Sequence, residues 1–264
     1  MTVHLTSDKV NEGEKGNRLT PMVRLMSHHV KLPIEKSSLW RRLRHAIAVL
    51  IEPLRKPGRF SLYHYSREAA FKRIQEQVGT VLDLGCGTRR LSSHVIAVDL
   101  NPGELVDVVG DGNCLPFGEG TCEGVWMGGL LEHVENPGQI LAESMRVLKP
   151  GGWLYCEVPF LWGEHNAPGD YRRWTRGGLR QLFREWDIEW LHDVSGPFSA
   201  LAYQMRSCLS IITSFGSDLL YRVMFEAVWS YVVWPVKFLD ACFKGHPRAQ
   251  ADAAAFGIMV RKRS

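Results

Sequence analysis

The sequence lacks the marks of a secreted, metal-clustered or membrane-spanning protein. Its six cysteines have no CxxC spacing and no neighbouring histidine cluster, so we predict no metal site and free thiols in a reducing cytoplasm. The segment MTVHLTSDKVNEGEKGNR contains no apolar run, which argues against a secretory signal. Charges and Pro235 interrupt the most apolar stretch, 219–243, so we expect no spanning helix. We predict a cytoplasmic protein, with a peripheral position on the cytoplasmic membrane face as the alternative.

Repeats, low-complexity tracts and a strong excess of one charge are also missing. The 264 residues are 45% hydrophobic and 23% charged, which suits one large α/β domain with additions. The net charge of +4 is too small to imply nucleic acid by itself. Segments of the NPPY or DPPY type, which accompany flipped bases, are absent as well. We therefore expect no nucleic-acid partner.

Five regions follow one another along the chain. Residues 1–36 are polar and aperiodic and predict a flexible tail. Residues 37–64 predict an amphipathic helical extension, with apolar residues at helical spacing and arginines on the other face. We expect a core at 65–195, a helical insertion at 196–252 and a final core strand within 253–264.

Short apolar runs alternate with helical segments in the core. The helices are expected at about 67–77, from Asn136 to about 148, and after Thr175. This alternation predicts an α/β fold with a doubly wound, mostly parallel seven-stranded sheet. The predicted strands are 81–84, 95–99, 106–109, 124–127, 153–158, 188–194 and 254–261.

The segment VLDLGCGTRRL, residues 81–91, follows a buried strand and is expected to open a helix. Gly85 and Gly87 permit a tight turn and a close approach of the backbone to a ligand. A dinucleotide site is the obvious rival, but its third glycine position is Arg90 here, and Asp99 follows Gly85 by only 14 residues. An acidic residue inside the turn, Asp83, suits a cationic amino-acid ligand better than a pyrophosphate. The charges therefore favour S-adenosylmethionine.

An ordered set of further motifs strengthens this interpretation. VLDLGCG is followed by VIAVDLNP, GDGNCLPF, EGVWMGGLLEHV and RVLKPGGWLY. Over roughly residues 65–195 the sequence resembles the class I S-adenosylmethionine-dependent methyltransferases of the common small-molecule type. One position departs from their pattern, because Arg89 stands where the third glycine is usual.

The resemblance implies a cofactor role for each matching position. It places Asp83 at the amino group of the cofactor's methionine portion and Asp99 at the ribose hydroxyls. It places Leu100 against the adenine and Asp111 at the adenine amino group, although Asp111 could instead be a plain turn residue. The whole implied cofactor site comprises Asp83, Leu84, Gly85, Cys86, Gly87, Asp99, Leu100, Asp111, Gly112, Asn113, Met127 and Gly128.

Two histidines are candidates for a general base, which methyl transfer needs only when the acceptor is a weak nucleophile. His133 lies in LEHV after the fourth predicted strand, and His165 lies in the loop after the fifth. His133 could instead orient its loop. Asp170, Tyr171 and Arg172 could bind a polar or anionic acceptor, or form a solvated loop salt bridge. Their spacing resembles methyltransferases from bacterial polysaccharide and lipopolysaccharide gene clusters.

We therefore predict methyl transfer to a small-molecule or glycan-type acceptor, with an oxygen of a free or lipid-linked saccharide intermediate preferred. A quinone or lipid methyltransferase and a non-catalytic S-adenosylmethionine-binding scaffold are the alternatives. The aromatic-rich insertion is either a helical lid or a membrane-surface element. In the second case it would meet an anionic bilayer together with the amphipathic extension.

Overall fold

The computed structural model describes residues 65–165, 169–246 and 248–263. The predicted tail and amphipathic extension lie outside these residues. The strands are Val81–Leu84 (β1), Val95–Asp99 (β2), Val108–Val109 (β3), Cys122–Gly128 (β4), Leu148–Pro159 (β5), Asp187–Ser195 (β6) and Ala255–Arg261 (β7).

All seven strands form one sheet in the order β3-β2-β1-β4-β5-β7-β6. The first five strands pair in parallel, and β7 is antiparallel to both β5 and β6. The predicted fold class is confirmed. From β1 the chain adds β2 and β3 on one side of the sheet, and then returns to add β4 and β5 on the other side. The strand order therefore reverses between β1 and β4. Ligands of open α/β sheets bind at such a point, beyond the carboxyl ends of the strands.

Helices cover both faces of the sheet. Asn136 caps the second helix by accepting a hydrogen bond from the Gln139 N–H, and Thr175 caps the third by accepting one from the Gly178 N–H. The α-helices are Tyr65–Glu76 (α1), Pro137–Val147 (α2), Arg176–Leu182 (α3), Pro197–Ser214 (α4), Asp218–Val223 (α5), Trp229–Val233 (α6) and Leu239–Phe243 (α7).

Alternation along the strands divides the core into two layers. On one face, Ala70 and Ile74 of α1 pack with Val81 and Trp126. On the other face Leu82 joins the larger cluster, to which α2 and α3 also contribute. Each buried aliphatic side chain contributes about 1.5–3 kcal/mol to stability, so the two layers hold the strand ends rigidly.

The helix expected after VLDLGCG is absent, and that prediction was wrong. Residues 85–94 connect β1 to β2 through turns alone. Leu91 is the only large apolar residue between positions 88 and 93, so a helix there would have no apolar face to bury. Arg90 supports the connection instead, because its Nη1 donates to Asp107 Oδ1 at 2.9 Å.

Five of the seven strands differ from their predicted bounds, and β5 differs most. β5 begins at Leu148 instead of residue 153, since an irregularity in the pairing with β4 between Cys122 and Gly124 accommodates the KPGG segment. β3 comprises only Val108 and Val109. The side chain of the preceding Asp107 accepts a hydrogen bond from the Ala97 N–H at 2.9 Å, in the place of a ladder contact.

The helical insertion begins and ends at the same edge of the sheet. Ala255, at the start of β7, is paired with both Pro159 of β5 and Ser195 of β6. Because β7 runs antiparallel to its neighbours, its amino end lies beside their carboxyl ends. The insertion that joins β6 to β7 therefore starts and finishes at the edge where ligands bind. No helix among the described residues is long and apolar enough to cross a membrane.

Candidate active site

The turn after β1 has the backbone that its glycines predict. Gly85 and Gly87 have φ angles of +71° and +57°, in the left-handed region that glycine adopts without steric cost. A Cβ on Gly85 would lie 2.8 Å from Leu130 Cδ1, so a larger residue there would have to displace that side chain. The Gly87 N–H donates to Asp99 Oδ2 at 2.9 Å. The ends of β1, β2 and β4 thus meet in one turn.

A cavity of about 170 Å³ opens beside this turn. Asp83 lies in its wall and is 6% exposed. No described residue donates a hydrogen bond to its carboxylate. Burial raises the pKa of Asp83 to about 7, and the nearby charge of Arg89 opposes that rise. The cavity lining comprises Arg67, Phe71, Asp83, Gly85, Cys86, Arg89, Arg90, Leu91, Trp126 and Gly128.

The predicted cofactor residues fall into three groups. Asp83, Gly85, Cys86 and Gly128 line this cavity. Leu84 and Met127 have side chains in the core, so they can offer a ligand only main-chain atoms. The remaining members lie along the neighbouring strand ends and do not line the cavity; they are Gly87, Asp99, Leu100, Asp111, Gly112 and Asn113.

Two of the neighbouring carboxylates already hold their own turns. Asp99 Oδ1 accepts a hydrogen bond from the Asn101 N–H at 2.9 Å. Asp111 Oδ1 accepts from the Asn113 N–H at 2.8 Å and from its Nδ2 at 3.0 Å. Leu100, which follows Asp99 directly in the chain, is 64% exposed. A carboxylate oxygen has more than one acceptor site, so these bonds leave room for a ligand.

Sequence reasoning missed a buried ion pair beside the cavity. Glu157, within the apolar end of β5, is 6% exposed. Its Oε1 accepts hydrogen bonds from Arg67 Nε at 2.8 Å and from the Tyr155 hydroxyl at 2.6 Å. Arg67 Nη2 also bonds Glu157 Oε2. A charged residue in an otherwise apolar strand was the available signal, because such a residue needs a partner. The pair places a fixed guanidinium at the cavity wall.

A second group of polar side chains follows β4 and β5. The short helix Leu131–His133 comes directly after β4 and carries Glu132, which is 3% exposed. Its Oε1 lies 4.0 Å from His133 Nε2. The His165 ring packs edge-on against the His133 ring with 5.1 Å between centroids. The structure therefore brings the two predicted histidines together. Burial raises the pKa of Glu132, and the two imidazoles oppose that rise.

The expected acceptor-binding residues connect the two loops. Arg172 donates to the carbonyls of Val134 and Glu135, both at 2.7 Å. The Tyr171 hydroxyl donates to Glu135 Oε1 at 2.9 Å. These contacts bring His165 to His133, while acceptor binding by these residues stays a prediction.

Asp170 is held by its own loop. Its Oδ2 accepts hydrogen bonds from Arg173 Nη2 at 2.6 Å and from the His165 N–H at 2.9 Å. The Arg173 guanidinium holds the pKa of Asp170 well below its usual range. Asp170 therefore remains an anion beside His165.

The insertion packs against the same loop. The Tyr203 ring of α4 stacks on the Trp162 ring with 4.5 Å between centroids. A Cβ on Gly163 would lie 2.6 Å from the Tyr203 hydroxyl oxygen, which shows how closely the helix approaches the loop. Behind Tyr203, the Arg206 guanidinium lies over the Phe225 ring at 3.6 Å. The loop after β5 is thus held between the core and the insertion.

The buried carboxyl of Asp83 predicts a pH-dependent stability difference. Since its pKa is raised to about 7 in the folded protein, the group contributes stability at acid pH that is lost as the pH rises through about 7. Asp83→Asn removes this loss. The free energy of unfolding of the variant, minus that of the wild type, should grow by about 2–4 kcal/mol between pH 4 and pH 8. Urea denaturation at both pH values measures it.

The exposed Asp252 provides the control, and Asp252→Asn should leave the difference flat between the two pH values. A flat difference for Asp83→Asn as well would contradict the buried, unpaired state of the Asp83 carboxyl.

Comparisons with known proteins indicate the family of the chain. A family model for the methyltransferase domain matches residues 82–156. A demethylmenaquinone methyltransferase of Listeria monocytogenes serotype 4a (strain HCC23) is 30% identical over 201 residues, covering 66% of this chain and 79% of that protein. A demethylmenaquinone methyltransferase of Symbiobacterium thermophilum is 32% identical over 102 residues, covering 29% of this chain and 41% of that protein.

One solved structure similar to this chain is a 1,6-didemethyltoxoflavin-N1-methyltransferase of Burkholderia thailandensis with bound 1,6-didemethyltoxoflavin and S-adenosylhomocysteine. It is 18% identical, with 89% of this chain and 94% of that chain covered and a TM-score of 0.45. The family assignment comes from the matched domain and from the long alignment with the Listeria protein. The chain belongs to the class I S-adenosylmethionine-dependent methyltransferases, and S-adenosylmethionine is its methyl donor.

Proposed function

We propose that the chain transfers the methyl group of S-adenosylmethionine to an oxygen of a polar acceptor, a free or lipid-linked saccharide intermediate. The observation that carries this proposal is the group formed by Glu132, His133 and His165 at the ends of β4 and β5. A Cβ on Gly129 would lie 3.4 Å from Glu132 Oε1, and the adjacent Gly128 lines the cofactor cavity. Titratable groups therefore stand beside the expected position of the methyl donor.

The cavity fits the methionine portion of the cofactor. The unpaired Asp83 carboxylate would accept a hydrogen bond from the ammonium group, whose charge also offsets the cost of the carboxylate's burial. Arg67 and Arg89 also line the cavity. A guanidinium of either residue would bind the carboxylate of the cofactor's methionine portion. Arg89, at the unusual third position of the turn, would then assist binding.

The rest of the cofactor would extend along the neighbouring strand ends. Asp99 would accept hydrogen bonds from the ribose hydroxyls, and Leu100 would pack on the adenine ring. Asp111 would accept from the adenine amino group. The exposure of Leu100, directly after Asp99, supports this order.

The reaction is an in-line substitution at the methyl carbon. The acceptor oxygen forms a bond to this carbon while the bond to the sulfonium sulfur breaks, and the electron pair of that bond remains on the sulfur. A hydroxyl acceptor must also lose its proton, and an imidazole of His133 or His165 can accept it. The protein otherwise contributes by aligning the two reactants.

Replacement of Asp99 tests the proposed ribose contact. Asp99→Ala should weaken S-adenosylmethionine binding at least tenfold, about 1.4 kcal/mol, measured by calorimetric titration. The 2′-deoxy analogue of S-adenosylhomocysteine separates this contact from the role of Asp99 in holding Gly87. Wild type should bind S-adenosylhomocysteine more tightly than its 2′-deoxy analogue, whereas Asp99→Ala should bind the two compounds equally.

Glu104→Ala is the matched control, since it removes an exposed carboxylate from the loop after the same strand. It should bind the cofactor like wild type. Unchanged affinity in Asp99→Ala would contradict the proposed ribose contact.

Turnover tests the histidines. Whichever of His133 and His165 is the base, its alanine variant should lower transfer of labelled methyl groups about 100-fold or more while cofactor affinity persists, because only proton removal is lost. His246→Ala, an exposed histidine of the insertion, is the control and should keep wild-type turnover. Retained turnover in both site variants would mean that alignment alone drives the reaction. Cofactor binding without transfer to any acceptor would indicate a scaffold.

A quinone or lipid acceptor is the second candidate. The similar proteins named demethylmenaquinone methyltransferase favour it, and so do the exposed apolar side chains of the insertion. The same assay separates the two candidates when lipid-linked saccharides and demethylmenaquinone are offered in parallel. Label in the quinone alone would replace the saccharide proposal.

We also infer that the insertion contacts an anionic membrane surface from the cytoplasmic side. Four large exposed apolar residues lie within four positions of Phe215 at the turn between α4 and α5, and Phe215 itself is 91% exposed. Such a patch of apolar side chains at one turn marks an interaction site. The other three are Ile211, Ile212 and Leu219.

Vesicle co-sedimentation tests this contact. The protein should sediment with phosphatidylglycerol vesicles at low salt. Phe215→Asn combined with Ile212→Ser should lower the bound fraction about tenfold or more, since each buried apolar side chain contributes about 1.5–3 kcal/mol. Asparagine keeps the left-handed backbone of Phe215, whose φ is 49°.

Val78→Ser is the control, because Val78 is 88% exposed at a distant loop. Equal sedimentation of the double variant and wild type would sink the membrane contact at this turn.

A further inference from the structure

Glu132, His133 and His165 offer three metal-ligand atoms that all lie within 4.8 Å of one another. Their sequence spacing did not predict a metal site, because His165 lies in a different loop. The two loops are connected by the Arg172 hydrogen bonds and by the Tyr171 N–H, which donates to the Glu132 carbonyl at 2.7 Å. The cluster is therefore built by the fold.

Both imidazoles are held in the same tautomer. His133 Nδ1 contacts the Gly169 carbonyl, and His165 Nδ1 lies 3.2 Å from the Gly163 carbonyl. A carbonyl oxygen can only accept, so each Nδ1 carries a hydrogen, and Nε2 of the neutral ring is the atom with a lone pair for a metal. Histidine ligands of metals are usually oriented by such a bond from the second ring nitrogen. Asp170 Oδ2, 3.3 Å from His165 Nδ1, adds a carboxylate behind that ring.

One oxygen of the Glu132 carboxylate lacks a partner that its burial requires. Glu132 is 3% exposed, and its Oε2 is buried without a hydrogen bond from any described residue. A buried carboxylate that is unpaired costs several kcal/mol in a protein interior. The His133 Nε2 atom, 4.0 Å from Oε1, is too distant to donate a hydrogen bond. A cation between the carboxylate and the two imidazoles would satisfy all three groups.

We propose that Glu132, His133 and His165 bind a divalent first-row transition metal ion. Two imidazoles and one carboxylate suit ions such as Mn²⁺, Fe²⁺, Co²⁺ and Zn²⁺, whereas Mg²⁺ and Ca²⁺ prefer oxygen ligands alone. Donors around a tetrahedral ion lie about 3.4 Å apart, so the cluster must contract on binding. His165 can make that movement, because its side chain is 42% exposed.

The ion's function rests on the proposed methyl transfer to oxygen. Three protein ligands leave coordination positions open for an oxygen of the acceptor. An ion lowers the pKa of a hydroxyl bound to it, so the proton can leave to water. With the ion bound, it takes over the proton-removing role proposed above for the imidazoles, because an imidazole that ligates through Nε2 cannot accept that proton as well. The acceptor class narrows to molecules that present a hydroxyl or a pair of oxygens to a metal.

Co²⁺ is the probe for the test, because its visible spectrum distinguishes imidazole and carboxylate ligands from thiolates. The untagged full chain is dialysed against chelator and titrated with Co²⁺ without cofactor or acceptor. One ion per chain should bind with a spectrum free of thiolate bands. Glu132→Gln and His165→Gln should each weaken binding at least tenfold.

Two matched variants serve as controls. Glu164→Gln removes an exposed carboxylate beside His165, and His246→Gln removes an exposed histidine of the insertion. Both should bind Co²⁺ like wild type. His165→Gln keeps the test meaningful if Glu132→Gln unfolds, because His165 is the more exposed of the two.

Three outcomes contradict different parts of the proposal. Absence of Co²⁺ binding to the wild type, or binding to both site variants as tight as to the wild type, overturns the ion site. Turnover that is unaffected by chelator overturns the ion's part in catalysis and returns the imidazoles to proton transfer. Co²⁺ bound at this cluster in a chain that methylates no acceptor sinks the proposed function but leaves the ion site standing.

Discussion

The hydrogen bond between the Asp99 carboxylate and the Gly87 N–H is the contact on which the cofactor end of the sheet depends. Residues 85–94 contain no helix, so the chain after β1 cannot rely on a packed apolar face. It relies on the end of β2, because the N–H groups of Gly85 and Cys86 both donate to the Val98 carbonyl. The turn is consequently set by main-chain and carboxylate contacts within one strand pair.

This constraint explains why the turn tolerates Arg89. In a segment without a helix, the residue at the third glycine position of the pattern has no helical turn against which it must pack. Its side chain can lie at the cavity wall, opposite in charge to Asp83. The position that departs from the family pattern thereby contributes charge to the site.

The sheet was largely predictable from the sequence because buried parallel strands are continuous apolar runs. The bounds 81–84 and 95–99 agree with β1 and β2. The prediction of a helix after β1 was wrong because it followed the usual order of strand, glycine turn and helix. Leu91 alone could not supply an apolar face for that helix. The KPGG segment is typical of a helix end, so the sequence did not indicate that β5 already begins there. A bulge accommodates these residues within the pairing of β4 and β5.

The candidate site was predictable only in part. Asp83, Gly85 and Gly128 belong to local motifs, and they line one cavity. Contacts between distant segments have no such signature. The approach of His165 to His133 depends on hydrogen bonds to the Val134 and Glu135 carbonyls, and carbonyl partners leave no trace in residue identity.

The antiparallel seventh strand has a consequence for how this fold can diversify. Both ends of the insertion are fixed to each other, because the Ala254 N–H donates to the Ser195 carbonyl at 2.9 Å. A segment whose ends are already joined can be exchanged for another without moving the strands of the sheet. The same sheet can thus carry a different insertion at this edge after replacement of a single continuous segment.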